Sequence, residues 1–436
     1  MRNVVLVTFD SLRADHCGYM GYGRDTTPTI DSMAEDGVVY ENALSVAPRT
    51  NMSMTSVMTG VPQFACTQVS LHPEVSRKHL RRHGTIAKDL SNRGYSTAAF
   101  SPNVHTSSHY GFDEGFDYFQ DFLFENPIYQ DIFDKHTSGN EIFTHIRNLR
   151  NFIRREEAFK TWDRYIDELV QWVEDQTEPF FVWAFSLDTH FPHLVPRKYR
   201  RWTNLFDIYY YNWIRNSLIN EYDVNIPDRR FQKLIDIYDD SIYFADQFVK
   251  QLQQRLSEYD PVFVFHSDHG EAFTEHGIFG HFYPQLYEEL THVPVVVYNA
   301  DTDAANVSKP VSLVQTRDVV RRSLEEPDTL RDVGKDWVVS TDYDGRRNRK
   351  LVSVRIEGWK YHQTISDNSV TNELYNLDED PTEQEDLGGK GLSIEEELRK
   401  LATRRLYHEE EQLTIRRGLS EISTGTQRPV AGGPEK

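Results

Sequence analysis

Cysteine is almost missing from this chain, which holds Cys17 and Cys66 and no other among 436 residues. Two thiols make neither a disulfide framework nor a cysteine-rich zinc cluster, so a reducing compartment is expected. Long apolar runs are missing too. The stretch 180–187 falls far short of the ~20 residues that cross a bilayer, so no membrane span is predicted. The opening Met1-Arg2-Asn3, a short apolar run over 4–9 and then Asp10 lack the longer apolar core and cleavage site of a secretion signal. A cytoplasmic protein is the expectation. Basic charge is the third shortage: 48 Lys and Arg stand against 68 Asp and Glu, a formal net charge of -20. That field repels nucleic acid and anionic membranes, and neither is an expected partner. It repels small anions as well, so an anionic substrate requires a locally positive site, most simply one built around a metal cation.

What is present is a chain long enough for one large α/β domain with a smaller appendage. Short β-branched and aromatic runs at 4–9, 96–100, 180–187, 262–266 and 293–298 read as buried strands. Between them lie stretches of helical period, notably 29–36, 85–93, 162–175 and 235–257. The alternation predicts a largely parallel central sheet sandwiched by helices, with ligands at the carboxyl ends of its strands. Asp10, Asp188 and Asp268 each fall just past such an end. Residues 1–335 form the expected main domain, with strand-poor insertions near 117–162 and 202–228. From 336 to 390 the texture changes to short strands at 337–341, 350–356 and 359–363, with a turn-like 342–347, and predicts a small antiparallel sheet unit. Residues 391–436 read as a charged helix and a flexible tail. No internal repeat is seen.

Four constellations carry chemistry. Asp10-Ser11 ends the first strand, where an acid can hold a hard cation or, more blandly, cap the next helix. Thr50 follows Pro48-Arg49 at the start of a helix-like stretch ending near Gly60; a hydroxyl there sits among free N–H groups that favour an anion, or is an ordinary cap. Ser267-Asp268-His269-Gly270-Glu271, followed by Glu275-His276-Gly277 and Gly280-His281, is the most specific, because carboxylate and imidazole both ligate divalent ions. Gly280 leaves room for a close approach. Asp188-Thr189-His190-Phe191-Pro192-His193 places two imidazoles near a strand end, as acid and base or with one of them merely packing.

In this order the segments resemble the sulfatase family of the alkaline phosphatase superfamily. The likeness runs from about Asn3 to Leu387 and includes Thr26-Thr27-Pro28, Thr59-Gly60, Gly94-Tyr95, Gly111-Phe112-Asp113, Leu286-Tyr287 and Glu373-Leu374-Tyr375. The resemblance implies Asp10, Asp268 and His269 as ligands of one divalent metal ion, Ca, Mg or Mn with Zn also compatible, and Ser11 where a further acid or amide ligand is usual. It implies Thr50 as nucleophile, and His190 and His281 as groups that hold the transferred anion or protonate the leaving oxygen. Asn103 and His105 fall where the family has a Lys and a His lining the anion pocket.

Two departures shape the expected activity. The family's C/S-x-P-S-R pattern, whose first residue becomes formylglycine, is replaced by Thr50-Asn51-Met52-Ser53-Met54. Threonine cannot become formylglycine, and a sulfated threonine would have to be hydrolysed at sulfur, so phosphate esters are favoured over sulfate esters. Ser11 makes the metal site less negative, with weaker affinity or a different metal expected. The implied function is a metal-dependent hydrolase of small-molecule or glycan-borne esters. Its rivals are a phosphotransferase of the glycerol-phosphate or ethanolamine-phosphate type, and an inactive module binding an anionic glycan. A second metal held by Asp188, His193 and His281 is a further alternative.

Overall fold

Apolar runs of five to seven residues bury both faces at least cost as inner strands, where the ladder satisfies each backbone N–H and C=O. The computed structural model describes residues 1–63, 72–122, 160–177, 179–218 and 226–405. Its strands, in chain order, are β1 (Val4–Phe9), β2 (Val38–Tyr40), β3 (Ala43–Leu44), β4 (Ser96–Phe100), β5 (Tyr118–Gln120), β6 (Phe180–Ser186), β7 (Val262–Ser267), β8 (Val295–Tyr298), β9 (Ala305–Val307), β10 (Val311–Ser312), β11 (Val338–Asp344), β12 (Arg349–Ile356), β13 (Trp359–Ile365) and β14 (Val370–Asn376). Eight of them form the main sheet in the order β5-β4-β6-β1-β7-β8-β2-β9. β1 lies between β6 and β7 and is parallel to both. β8 runs antiparallel to both its neighbours, β7 and β2.

Alternation along β1 sends Val5, Val7 and Phe9 to one face and Val4 and Leu6 to the other. The first face packs on α1 (Pro28–Glu35), α5 (Ile166–Glu174) and α7 (Asp228–Arg255). The second packs on α2 (Thr50–Thr59), α3 (Pro73–His83), α4 (Ile86–Ser91) and α9 (Thr316–Glu325). Two further helices are α6 (Leu205–Leu218), within the second expected insertion, and the short α8 (Glu288–Thr291). Most of the first insertion, residues 123–159, lies outside the described residues, as do Cys66 and the tail from 406 onward. No helix among the described residues is long and apolar enough to cross a membrane.

β11 to β14 form the expected antiparallel sheet, each strand pairing with the next. One expectation fails here. The residues read as a turn at 342–347 begin inside the strand, because β11 runs on through Asp344. Asp342 and Asp344 are buried strand residues ion-paired to Arg49 and Arg349, so acids that mimic turn formers in sequence are held by cations in space. Beneath this sheet a helix over 393–405 contributes Leu398 and Ala402 to a core with Val352, Val354, Tyr361 and Leu374.

A buried polar junction docks the small sheet on the main body. Lys360 Nζ reaches Glu288 Oε1 at 2.8 Å, and His362 Nε2 reaches Glu383 Oε1 at 2.8 Å. His276 joins both sides, with Nδ1 2.8 Å from Glu289 Oε1 and Nε2 3.0 Å from the Glu383 carbonyl. Burial works against its charge, yet Glu289 and Glu383 together push the His276 pKa up to about 9. The unfolded chain holds that proton only below about 6.5, so between these values the folded chain binds more protons. This stabilisation is therefore complete below pH 6.5 and disappears as pH rises through 9. In urea melts, the stability advantage of wild type over His276→Gln is expected to be largest near about pH 6 and to fade by about pH 10; an advantage independent of pH would contradict the assignment.

Candidate active site

The register of the central strands brings the first site together. Phe9 on β1 is paired with Ser267 on β7, so the residues that follow, Asp10 and Asp268, leave the sheet side by side. Their backbones stay anchored, Asp10 N–H on the Ser186 carbonyl at 3.0 Å and Asp268 N–H on the Phe9 carbonyl at 3.1 Å. Asp10, Asp268 and His269 are wholly buried, and one ligand atom from each lies within 4.8 Å of the others. Among the described residues no other trio of His, Cys, Asp and Glu meets in this way.

This donor set fits a divalent cation. His269 Nδ1 sits 2.9 Å from the Gly270 carbonyl, which places the ring proton there and leaves the Nε2 lone pair facing the carboxylates. Nε2 is 3.4 Å from Asp268 Oδ2 and 3.9 Å from Asp10 Oδ1. Asp268 Oδ1 accepts the Ser11 and His269 backbone N–H groups, at 3.0 and 2.8 Å, while the buried Oδ2 has no hydrogen-bond partner. Burial lowers the His269 pKa and keeps the imidazole neutral. Burial and the adjacent Asp268 raise the Asp10 pKa well above the usual carboxylate range, against hydrogen bonds from Asn103 and Ser11. Lone pairs facing one another in a buried space are stabilised by a cation and by little else.

Ser11 shapes this centre through its backbone. It adopts a positive φ of 63°, uncommon for a residue with a side chain, and so turns its N–H onto Asp268. Its hydroxyl donates to Asp10 Oδ1 at 3.1 Å and lies 3.5 Å from His269 Nδ1. Tyr238, far along α7, clamps the same loop by donating to the Ser11 carbonyl at 2.6 Å and accepting the Arg13 N–H at 2.9 Å. Gly270 is required where it stands, since a Cβ there would lie 2.0 Å from the Glu289 carbonyl oxygen.

Thr50 is the first residue of α2, and its Oγ1 lies 3.2 Å from His269 Nε2. The cap position belongs to Arg49, which makes no side-chain bond to the helix. α2 shows no apolar stripe because every one of its residues is buried; Thr55, Ser56 and Thr59 return their hydroxyls to carbonyls four residues back. Ser53 Oγ instead donates to the Asp268 carbonyl at 2.7 Å and ties the helix to the loop that carries Asp268 and His269.

His281 lies over His269 with ring centroids 4.5 Å apart, and His190 lies 5.2 Å from His281. His281 Nδ1 is 3.2 Å from Glu271 Oε2, and His190 Nδ1 is 2.6 Å from the Phe191 carbonyl. The space left by Gly280 serves that pair, for a Cβ there would meet Glu271 Oε1 at 3.1 Å. Asn103 donates its amide to Asp10 Oδ2. His105 bonds Tyr110 through Nδ1 at 3.0 Å, and burial, with the adjacent His281 and His269, lowers its pKa to about 4. His105 is therefore uncharged at neutral pH.

Asp188 and His193 are placed otherwise. Asp188 accepts Ser186 Oγ at 2.7 Å and the Trp162 N–H at 3.4 Å, and His193 packs its ring on Phe191 and Tyr238. With His281 they form no three-ligand group, so the second-metal alternative has no geometric basis. Sequence reasoning missed Arg49, Ser53, Tyr238 and the pairing role of Glu271. Glu271 stood within a recognised motif, whereas Tyr238 in a long helix gave no local signal.

The sulfatase family model matches residues 2–320. The chain is similar to an arylsulfatase of Clostridium perfringens, 24% identical over 345 residues and covering 68% of each chain. Among solved structures it is similar to the phosphonate monoester hydrolase of Agrobacterium radiobacter, with a TM-score of 0.62, 17% identity and 96% of each chain covered. It is also similar to a 2-O GAG sulfatase, with a TM-score of 0.64, 16% identity and coverage of 99% of this chain and 95% of that one.

Two outcomes follow from the geometry. Adding a divalent cation to chelator-treated protein should raise its Tm progressively with concentration, and Asp268→Asn should remove most of that rise; an equal rise in the variant would contradict the ligand set. Gly270→Ala should destabilise the fold by more than about 2 kcal/mol through the clash with Glu289, read in urea melts.

Proposed function

The chain belongs to the sulfatase family, and on that premise we propose that it is a metal-dependent hydrolase of phosphate and sulfate esters that favours the phosphoester and uses Thr50 as nucleophile. The observation that carries the reading is the Thr50 hydroxyl 3.2 Å from His269 Nε2, beside the buried trio of Asp10, Asp268 and His269. The same fold is found in proteins named for esters of phosphorus and of sulfur acids, since one structural neighbour is a phosphonate monoester hydrolase and another a 2-O GAG sulfatase. The preference for phosphorus comes from Thr50. Formylglycine hydrate can expel sulfate by breaking its own C–O bond, while a threonine ester must be cleaved at the central atom.

Asp10, Asp268 and His269 would hold a divalent cation, which would supply Lewis acidity at the Thr50 hydroxyl. Thr50 Oγ attacks phosphorus in line as its hydroxyl proton passes to solvent, and the bond to the leaving alcohol breaks as that oxygen takes a proton from His281 or His190. Glu271 orients His281 for the task. Water then attacks the phosphothreonine and gives a proton to the same imidazole, the Oγ–P bond breaks as Oγ takes up a proton from solvent, and phosphate leaves with Thr50 and the imidazole restored. Neutral His105 and the Asn103 amide complete the wall without adding charge.

The test compares matched aryl phosphate monoester, phosphate diester and sulfate substrates, with Mg, Mn, Ca and Zn supplied in turn. Metal-dependent phosphoester turnover is expected, faster than sulfate turnover, and Thr50→Ala should lower it by about a thousandfold or more. Full activity in Thr50→Ala would sink the mechanism, and faster sulfate turnover would reverse the substrate preference.

A further inference from the structure

The segment that delivers Thr50 is held by the small C-terminal sheet. The Ser340 hydroxyl donates to the Ser45 carbonyl, and the Thr341 N–H donates to the Val46 carbonyl at 2.8 Å. Tyr343 packs against Ala47 and Met52. Between these contacts Arg49 Nε donates to Asp342 Oδ1 at 2.7 Å, with a second guanidinium nitrogen 3.5 Å from Oδ2. Asp342 is wholly buried, and it accepts in addition the Tyr343 backbone N–H at 2.8 Å.

The chemistry of the pair is directional. Arg49 is the cap residue of α2, and its carbonyl accepts the Ser53 N–H at 3.0 Å. Fixing its side chain therefore fixes the backbone on which Thr50 is the next residue. A guanidinium on a buried carboxylate has a defined plane and cannot drift as a lysine ammonium can. The Arg49 side chain makes no cap bond to this helix start, so the ion pair takes over the aiming that a capping Ser or Asp would give.

We propose that Asp342 is a positioning residue for catalysis, acting through Arg49 to hold the Thr50 hydroxyl at its attacking distance, so that the C-terminal sheet is part of the active site. The inference rests on Thr50 being the nucleophile. A misplacement of about 1 Å is enough to cost up to a hundredfold in rate, whereas Asp10 and Asp268, which follow β1 and β7, have backbone anchors of their own on the Ser186 and Phe9 carbonyls.

The experiment uses metal-loaded full-length protein and an aryl phosphate monoester under single-turnover conditions, with Thr50→Ala as reference. Asp342→Asn keeps the side-chain shape and removes the charge. Its cleavage rate is expected to fall at least about tenfold, while metal affinity by calorimetry and KM for the ester stay within about twofold. An unchanged rate overturns the proposal, as does a rate loss matched by an equal loss of metal affinity, which would mark a general collapse. Should Asp342→Asn fail to fold, the double variant Arg49→Gln/Asp342→Asn removes both charges and leaves none buried unpaired. The same rate loss in that variant supports the proposal; a wild-type rate, or failure of this variant to fold as well, overturns it by assigning the pair to stability alone. An active Thr50→Ala sinks the nucleophile assignment and this inference with it. An inactive Thr50→Ala beside an unimpaired Asp342→Asn sinks the positioning role alone.

Discussion

Two carboxylates buried side by side, with the lone pair of a neutral imidazole turned towards them, are the constraint around which this molecule is organised. Burying even one carboxylate without a counter-charge costs several kcal/mol, and Asp10 and Asp268 are adjacent because β1 and β7 are in register. Nothing cationic in the described trio offsets them. The same arrangement that is costly to an empty site makes a strong one for a divalent cation. In a chain with a net charge of -20, such a cation would also let an anionic ester approach. The overall acidity and the local chemistry are thus parts of one account.

The supporting structure can be understood as a set of clamps on this centre. Ser11 holds a positive φ so that its N–H meets Asp268, Tyr238 pins that loop from α7, and Ser53 ties α2 to the Asp268 carbonyl. Gly270 lets the loop pass against Glu289. From there the contacts run through His276 and Glu383 into the small sheet, and return through Asp342 and Arg49 to the start of α2. The appended sheet thereby meets the centre from two sides.

The parts of this fold legible in the sequence were those buried on both sides. β1, β4, β6 and β7 are continuous apolar runs, and their limits were read within a residue or so. The strands β2, β3, β5, β9 and β10 have two or three residues each, too few to set a period, and their existence depends on neighbours remote in sequence. α2 carries no amphipathic stripe, but Thr50 could be placed by resemblance and by the Pro-Arg turn before it. The trio of Asp10, Asp268 and His269, which could hold a metal ion, was legible because its acids end apolar strands and its His adjoins an acid. Asp342 was misread as a turn residue because its partner, Arg49, lies 293 positions away; no local pattern announces an ion pair of that range. Asp188 and His193 show the converse, a suggestive spacing whose residues pack and cap instead.

The central claim is that the ester is cleaved by covalent transfer to Thr50. It is tested most directly by acid-quenching the metal-loaded protein during turnover of an aryl phosphate and mapping the modified peptide by mass spectrometry. The account predicts one phosphoryl group on the peptide carrying Thr50, localised to that residue and absent without metal. Turnover with the phosphoryl group on another residue, or turnover with oxygen-18 from water entering phosphate in a single inverting step and no covalent species, would contradict it.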